Sequence, residues 1–409
     1  MNKNQHNSFY FLSLFDPRMR PKGSRDPLGS ERVWGYLGRR LVGNLTTVTS
    51  NLNNFFVALL SCDYAHQNID KELAVLQERF ARMEQLLAYV RFSLSDSAIL
   101  GITKVKQRVS DSHVVLGLAT PLLNNQLSMG LWGLYTPAMA RAQLVDIDLR
   151  RLTATGEDLV SNFSEQLGST WQALCQICDG GELQTRQLSE FAAKFELLLG
   201  NPDNRTRFVE ALIASNPSCN AQSALYRFAN QYLTKQMEIG TKPFLDYLVQ
   251  CDDPQLQIYA MDIKQIEPVL VLNDAVFSWL QGQHDKPVQQ IIEQLNKRMN
   301  CNSLTIPDSL TSLPHRSFLM SSVKLLNDGN GEQYLQTLLH HHQEIMKQRN
   351  GAPWVESRED KLFVRVVSDA GKLPNAAKVL APLNDTFENS YFLESFLLIA
   401  QEAIRMEAN

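Results

Sequence analysis

The chain predicts a mainly α-helical protein with one small β-hairpin near its C-terminus. Apolar residues recur at three- and four-residue steps through most of its length, which is the spacing of one buried helix face. Pairs such as Gly180-Gly181, Asn201-Pro202, Asn216-Pro217 and Asp253-Pro254 cut the pattern into helix-length pieces. Past residue 165 one stretch, Pro353–Val366, has strand character, with two short apolar runs flanking the polar turn Ser357–Asp360.

With 409 residues and 46.3 kDa the chain exceeds one small core, so two or three domains are expected. A hydrophobic share of 44% and a charged share of 20% are those of an ordinary globular protein. The net charge of −4 and a pI near 6.1 argue against a nucleic-acid coat, so any polyanion contact must be local. No apolar run approaches the roughly 18 residues of a spanning helix. The start has a short apolar patch, Phe9–Phe15, without a basic lead or a small-residue cleavage site, and does not read as a signal peptide. Six cysteines lie far apart except Cys175 and Cys178. This is no disulfide framework, and a cytoplasmic protein with reduced thiols is expected.

The first element is a basic, Gly/Pro-rich arm over residues 1–43, in which long regular structure is not expected before Val33. Between residues 18 and 40, Arg18, Arg20, Lys22, Arg25, Arg32, Arg39 and Arg40 stand against Asp26 and Glu31, a local charge of +5. Interleaved with Trp34 and Tyr36, these cations suit a flexible arm that follows a phosphate backbone; alternatively, pairs such as Arg25 and Asp26 fix an N-terminal loop onto the core. From Asn44 onward Leu45, Val48, Leu52, Phe55, Phe56, Leu59 and Leu60 mark a helix. Ile69, Leu73, Leu76, Phe80, Met83, Leu87 and Val90 then repeat as heptads. Such a seam serves either a homodimeric coiled coil or a helix packed within its own domain.

Residues 96–163 supply the element order of a winged helix. Helices are expected over Ala98–Val109, Val114–Asn124 and Gly130–Gln143, the last in the recognition position. Leu144-Val145 and Leu152-Thr153 would form the wing ribbon, and Gly156 opens a closing helix. The segment resembles winged-helix domains of bacterial DNA-associated proteins, through Ala142, Leu144, Val145, Leu152, Thr153 and Gly156. The resemblance covers this stretch alone and implies duplex contacts by Arg141 on the recognition helix and Arg150 and Arg151 at the wing tip. The whole chain also bears a faint likeness to uncharacterised proteins of bacterial phage-defence gene clusters, which implies a subunit of an antiviral assembly.

The module's charges cancel. Between residues 99 and 165, Lys104, Lys106, Arg108, Arg141, Arg150 and Arg151 meet Asp111, Asp146, Asp148, Glu157, Asp158 and Glu165. A module that holds DNA by neutralising phosphates is normally basic on one face.

Beyond residue 165 the pattern is helix after helix, without a repeat of fixed period, and a compact bundle is the simplest arrangement. Residues 166–350 form that bundle after a helical region, 44–165, that holds the winged helix. Residues 351–409 add the hairpin and a C-terminal helix within Phe387–Met406.

Signatures of chemistry are sparse. Cys175-x-x-Cys178 has no second ligand pair, and two core thiols explain it better. In His340-His341-His342 with Glu344, only His340 and Glu344 share a helix face, so a solvated polar helix is favoured over a metal site. No phosphate loop, dinucleotide fingerprint, nucleophile elbow or HExxH helix occurs. The expectation is a non-enzyme with no cofactor and no metal. It engages duplex DNA through Arg141, Arg150, Arg151 and the arm residues Arg18, Arg20, Lys22, Arg25, Arg39 and Arg40; alternatively it is a protein–protein adaptor of a multi-component assembly.

Overall fold

A computed structural model describes residues 26–67, 72–235, 237–369 and 371–404. The helices are, in order, α1 Ser30–Arg39, α2 Leu52–His66, α3 Leu73–Ser93, α4 Ile102–Arg108, α5 Gln126–Met129, α6 Leu131–Leu134 and α7 Thr136–Arg141. They continue with α8 Ala154–Leu167, α9 Ser169–Gly180, α10 Leu188–Gly200, α11 Pro202–Val209, α12 Gln222–Thr234 and α13 Thr241–Leu248. Last come α14 Pro254–Leu280, α15 Val288–Arg298, α16 Arg316–Asn327, α17 Gly331–Gln348, α18 Ala376–Leu380 and α19 Leu393–Ile404. Two antiparallel strand pairs complete the described residues: β1 His113–Val115 with β2 Glu182–Gln184, and β3 Val355–Arg358 with β4 Lys361–Val364. The mainly α expectation holds, and so does the hairpin. Its turn residues Glu359 and Asp360 both have positive φ (46° and 61°), the backbone of a two-residue turn that follows the strand twist.

Contacts divide the described chain into two compact units. One comprises residues up to 34 together with 262–388, the other residues 35–261 together with 389 onward. The sequence breaks placed after residues 43, 165 and 350 fall inside these units.

In the first unit α17 packs on α16, α15 and β3. Its core is pinned by Asn273, whose buried Oδ1 accepts from the Ser322 hydroxyl (2.7 Å) and the Tyr334 hydroxyl (2.9 Å). In the second unit α3 is the central helix, covered by α2, α9 and α10. Phe56, Phe163 and Phe208 interlock with ring centroids 4.8–6.0 Å apart, which fixes α2, α8 and α11 against one another.

Several expectations need correction. Regular structure in the arm starts at Ser30, three residues before Val33: residues 30–39 are helical, with Glu31 in the first turn and Arg39 in the last, charges that suit the helix dipole. The helix expected over Val114–Asn124 does not form. Val114 and Val115 pair with β2, and the following Gly117 sits at φ 125°, where a helix cannot continue. Gly130–Gln143 is broken at Tyr135, because Pro137 lies in the first turn of α7 and restarts the helix. The ribbon after it shrinks to one antiparallel bridge, Val145 with Leu152. Thr153 does open the closing helix α8, its hydroxyl accepting the Gly156 N–H (3.3 Å). Most of the heptad seam packs within its own unit: Leu76, Phe80, Met83, Leu87 and Val90 are buried there, Leu73 is 43% exposed, and Ile69 lies outside the described residues.

Candidate functional site

Among the described residues, the arginines assigned to DNA do not all face solvent. Arg18, Arg20, Lys22 and Arg25 lie outside the described residues. Arg39 donates to the carbonyls of Val42 (3.0 Å) and Leu45 (2.6 Å), and its guanidinium lies 3.9 Å from the Phe392 ring centre. Burial, and then nearby Arg141, lowers its pKa to about 10. Arg40 stacks 3.9 Å over Tyr259. Both therefore hold the second unit together.

Arg150 is likewise turned inward. Its Nε donates to Thr136 Oγ1 (2.8 Å), its guanidinium lies 5.6 Å from the Trp132 ring, and its Nη1 is buried without a protein partner. The turn it occupies is tied by Asp146, whose carboxylate accepts the backbone N–H groups of Asp148, Leu149 and Arg151 at 2.7–2.9 Å. Arg141 and Arg151 remain exposed. Lys104 and Arg108 are spent on the loop that replaced the second helix, donating to the carbonyls of Pro121 (3.1 Å) and Thr120 (2.7 Å).

His340 is exposed, as expected of a solvated face, but its two neighbours turn inward. His342 is buried, with Nδ1 2.9 Å from the Pro27 carbonyl and Nε2 accepting the Trp354 N–H at 2.8 Å. This pair of bonds requires the neutral ring with its proton on Nδ1. His341 stacks on Phe318 at 3.8 Å and reaches the Leu28 carbonyl at 2.8 Å. Arg349 completes the clamp by pairing with Asp26 at 3.3 Å. Burial pushes both imidazoles down to about 4. Among the described residues no group of three His, Cys, Asp or Glu could hold a metal ion. The Cys175–Cys178 pair sits in α9, where burial raises both thiols, Cys175 to about 12, away from the reactive thiolate.

A groove in the second unit is the better candidate. It runs where α8, α10 and α11 meet, as two adjoining hollows of about 610 and 360 Å³ that share Gln166 and Asn201. Each lies in the size range of a small binding site. The floor is made of amides. Asn204, 1% exposed, accepts on Oδ1 from Asn162 Nδ2 and Gln166 Nε2, both at 2.9 Å. Its own Nδ2 donates to Gln166 Oε1 at 2.8 Å and to the Leu198 carbonyl at 3.2 Å. Asn204 and Gln166 thus form a two-bond amide ring, the pairing that peptide groups make with each other.

Local sequence explains the arrangement. Asn162 and Gln166 stand one turn apart on α8, so both face the same side. Asn201 caps α11 through the Asn204 N–H (3.2 Å), and Pro202 follows in the first turn. Arg205, 8% exposed, locks the wall: it donates to Asn53 (3.0 Å) on α2 and the Leu199 carbonyl (2.6 Å), and pairs with Glu402 on α19. Leu197, 69% exposed, stands on the rim.

The charges around the groove balance. Lys194 and Glu196 line one hollow, Asp203 and Arg207 the other, and Arg207 is paired with Asp158 at 2.8 Å. Sequence reading marked Asn201-Pro202 only as a break and passed over the amides. The signal available was Asn-Pro-x-Asn as cap and first turn, with Asn162 and Gln166 four apart on the preceding helix. Compared with known proteins, the chain matches no family model, no curated protein and no solved structure.

Proposed function

We propose that this protein is a non-catalytic helical adaptor that receives an extended, uncharged polypeptide segment of a partner protein in the groove between α8, α10 and α11. The amide floor carries this reading. Beyond their bonds to Asn204, Asn162 keeps one Nδ2 hydrogen and Gln166 one lone pair on Oε1, a donor and an acceptor that suit the main chain of an extended segment. Lys194 and Arg207 are matched by Glu196 and Asp203, so the lining carries no net charge to draw a polyanion, while exposed Leu197 gives an apolar side chain of the partner a place to pack.

A photo-crosslinking residue at position 197 of the full chain tests the reading in its native extract. A polypeptide adduct that disappears when Asn162 and Gln166 are both replaced by Ala supports the adaptor. Absence of any polypeptide adduct rejects it.

Duplex DNA is the second reading, favoured by the exposure of Arg141 and Arg151. It predicts a duplex mobility shift that weakens steeply with salt, with a shallower slope in the Arg141→Glu, Arg151→Glu double variant. Binding that is indifferent to those two changes removes the assignment.

A further inference from the structure

Glu84 lies on α3 in the middle of the second unit, 5% exposed. Its Oε1 accepts the Leu131 N–H at 2.7 Å and so fixes the start of α6. Its Oε2 is buried and meets no protein donor. A buried carboxyl oxygen left without a partner is the exception in native proteins, and an internal water is the usual resolution.

The surroundings leave room for one. Glu84 lines a small cavity together with Asn54, Val57, Arg91, Leu122 and Leu131. Its volume of about 10 Å³ is close to the least that holds a water molecule, and too small for any organic ligand. A second orphan stands nearby. Gln126, 3% exposed, gives its Oε1 to the N–H groups of Leu122 (2.9 Å) and Leu123 (3.3 Å), and its Nε2 makes no well-formed hydrogen bond although it lies close enough to Glu84 to act on the carboxyl. The two side chains converge at Gly130: a Cβ there would stand 2.6 Å from Glu84 Oε1 and 2.9 Å from Gln126 Nε2. Any larger residue at 130 would fill the corner.

We infer that the cavity beside Glu84 is a binding site for a single internal water molecule, hydrogen-bonded to Glu84 Oε2. The water satisfies the orphan oxygen in either protonation state, since it donates to a carboxylate and accepts from a carboxylic acid. The neutral carboxyl is favoured by burial, which raises its pKa to about 7 against the opposing pull of the Leu131 N–H and the Gln126 amide. The water therefore belongs to the device that holds α5 and α6 on α3, and the site is independent of the groove proposed above.

A crystal structure of the full chain, at a resolution where internal waters are ordered, tests the inference directly. The expected result is a water within about 3.2 Å of Glu84 Oε2. An empty cavity, or the Gln126 amide seated on Oε2, overturns it. Water-to-amide magnetisation transfer in solution provides an independent reading: the Leu131 amide should show a cross-peak to a long-lived water, retained in Glu84→Gln and lost in Glu84→Met. A cross-peak that survives in Glu84→Met would remove Glu84 from the site.

Discussion

The two units hold polar groups in their interiors by opposite means. The first keeps its histidines neutral: His341 and His342 bind the carbonyls of Leu28 and Pro27, and burial suppresses their charge. The second keeps a full ion pair. Arg91, 2% exposed, is matched by Asp96 at 2.8 Å, by Asn54 Oδ1 at 2.6 Å and by the Ala98 carbonyl at 3.2 Å. Each device ties down irregular chain that no hydrophobic face could hold: residues 26–28 in one unit and residues 96–98 in the other. The difference lies in the penalty for failure. A neutral ring that loses its partner leaves one unsatisfied bond, whereas a buried guanidinium that loses its carboxylate leaves an uncompensated charge.

The sharpest way to break the comparison is therefore Asp96→Ala, which should destabilise the second unit by about 3–5 kcal/mol. Replacing Arg91 by Met in the same chain should recover much of that loss. Urea unfolding midpoints of the single and double variants measure both, and equal losses would refute a charge penalty.

His342→Ala comes next. It orphans the Trp354 N–H and the Pro27 carbonyl and should cost roughly 2–4 kcal/mol, at about 1–2 kcal/mol for each group. Because both folded-state imidazoles titrate below the ordinary value of 6.5, their contribution is present above pH 6.5 and is lost as pH falls towards about 4. The emission of Trp354, beside His342 at 6.2 Å between ring centres, should change over that window. A His341→Phe, His342→Gln variant with the same acid transition would contradict the assignment.

Glu84 titrates with the opposite sign. Its raised pKa means that the contribution is fully present below the ordinary value of 4.5 and is lost as pH rises through about 7. Asp274, in the first unit, is also raised to about 7 by burial, so the effect must be read locally. Hydrogen exchange at the Leu131 amide, corrected for intrinsic rate, should quicken above neutrality in the natural chain and lose that dependence in Glu84→Gln. The smallest expected effect on folding is Leu197→Glu, within about 0.5 kcal/mol, since the side chain is on the surface. The same change should abolish partner capture, and a variant that still captures its partner would separate Leu197 from the groove's function.

Much of the fold could be read from local sequence. The hairpin at 355–364, the cap Thr153, the restart at Asn201-Pro202 and the start of α14 at Pro254 follow from turn chemistry within a few residues. The strand at residues 113–115, where a helix was expected, could not be read so, because the pairing of Val114 with Leu183 joins segments that are far apart in the chain. The groove was illegible for a similar reason. Asn162 and Asn204 are unremarkable separately, and only the packing of Phe56, Phe163 and Phe208 brings their helices together.

By itself, then, the sequence determined which stretches are helical and where most of them stop, since periodicity, caps and prolines act within a turn or two. Tertiary structure decided what the arginines and histidines do. A charged or titratable side chain takes its role from its partners, and here those are the Phe392 ring for Arg39, Thr136 for Arg150 and the Pro27 carbonyl for His342. Such partners lie from 14 to more than 300 residues away along the chain, beyond the reach of any local pattern.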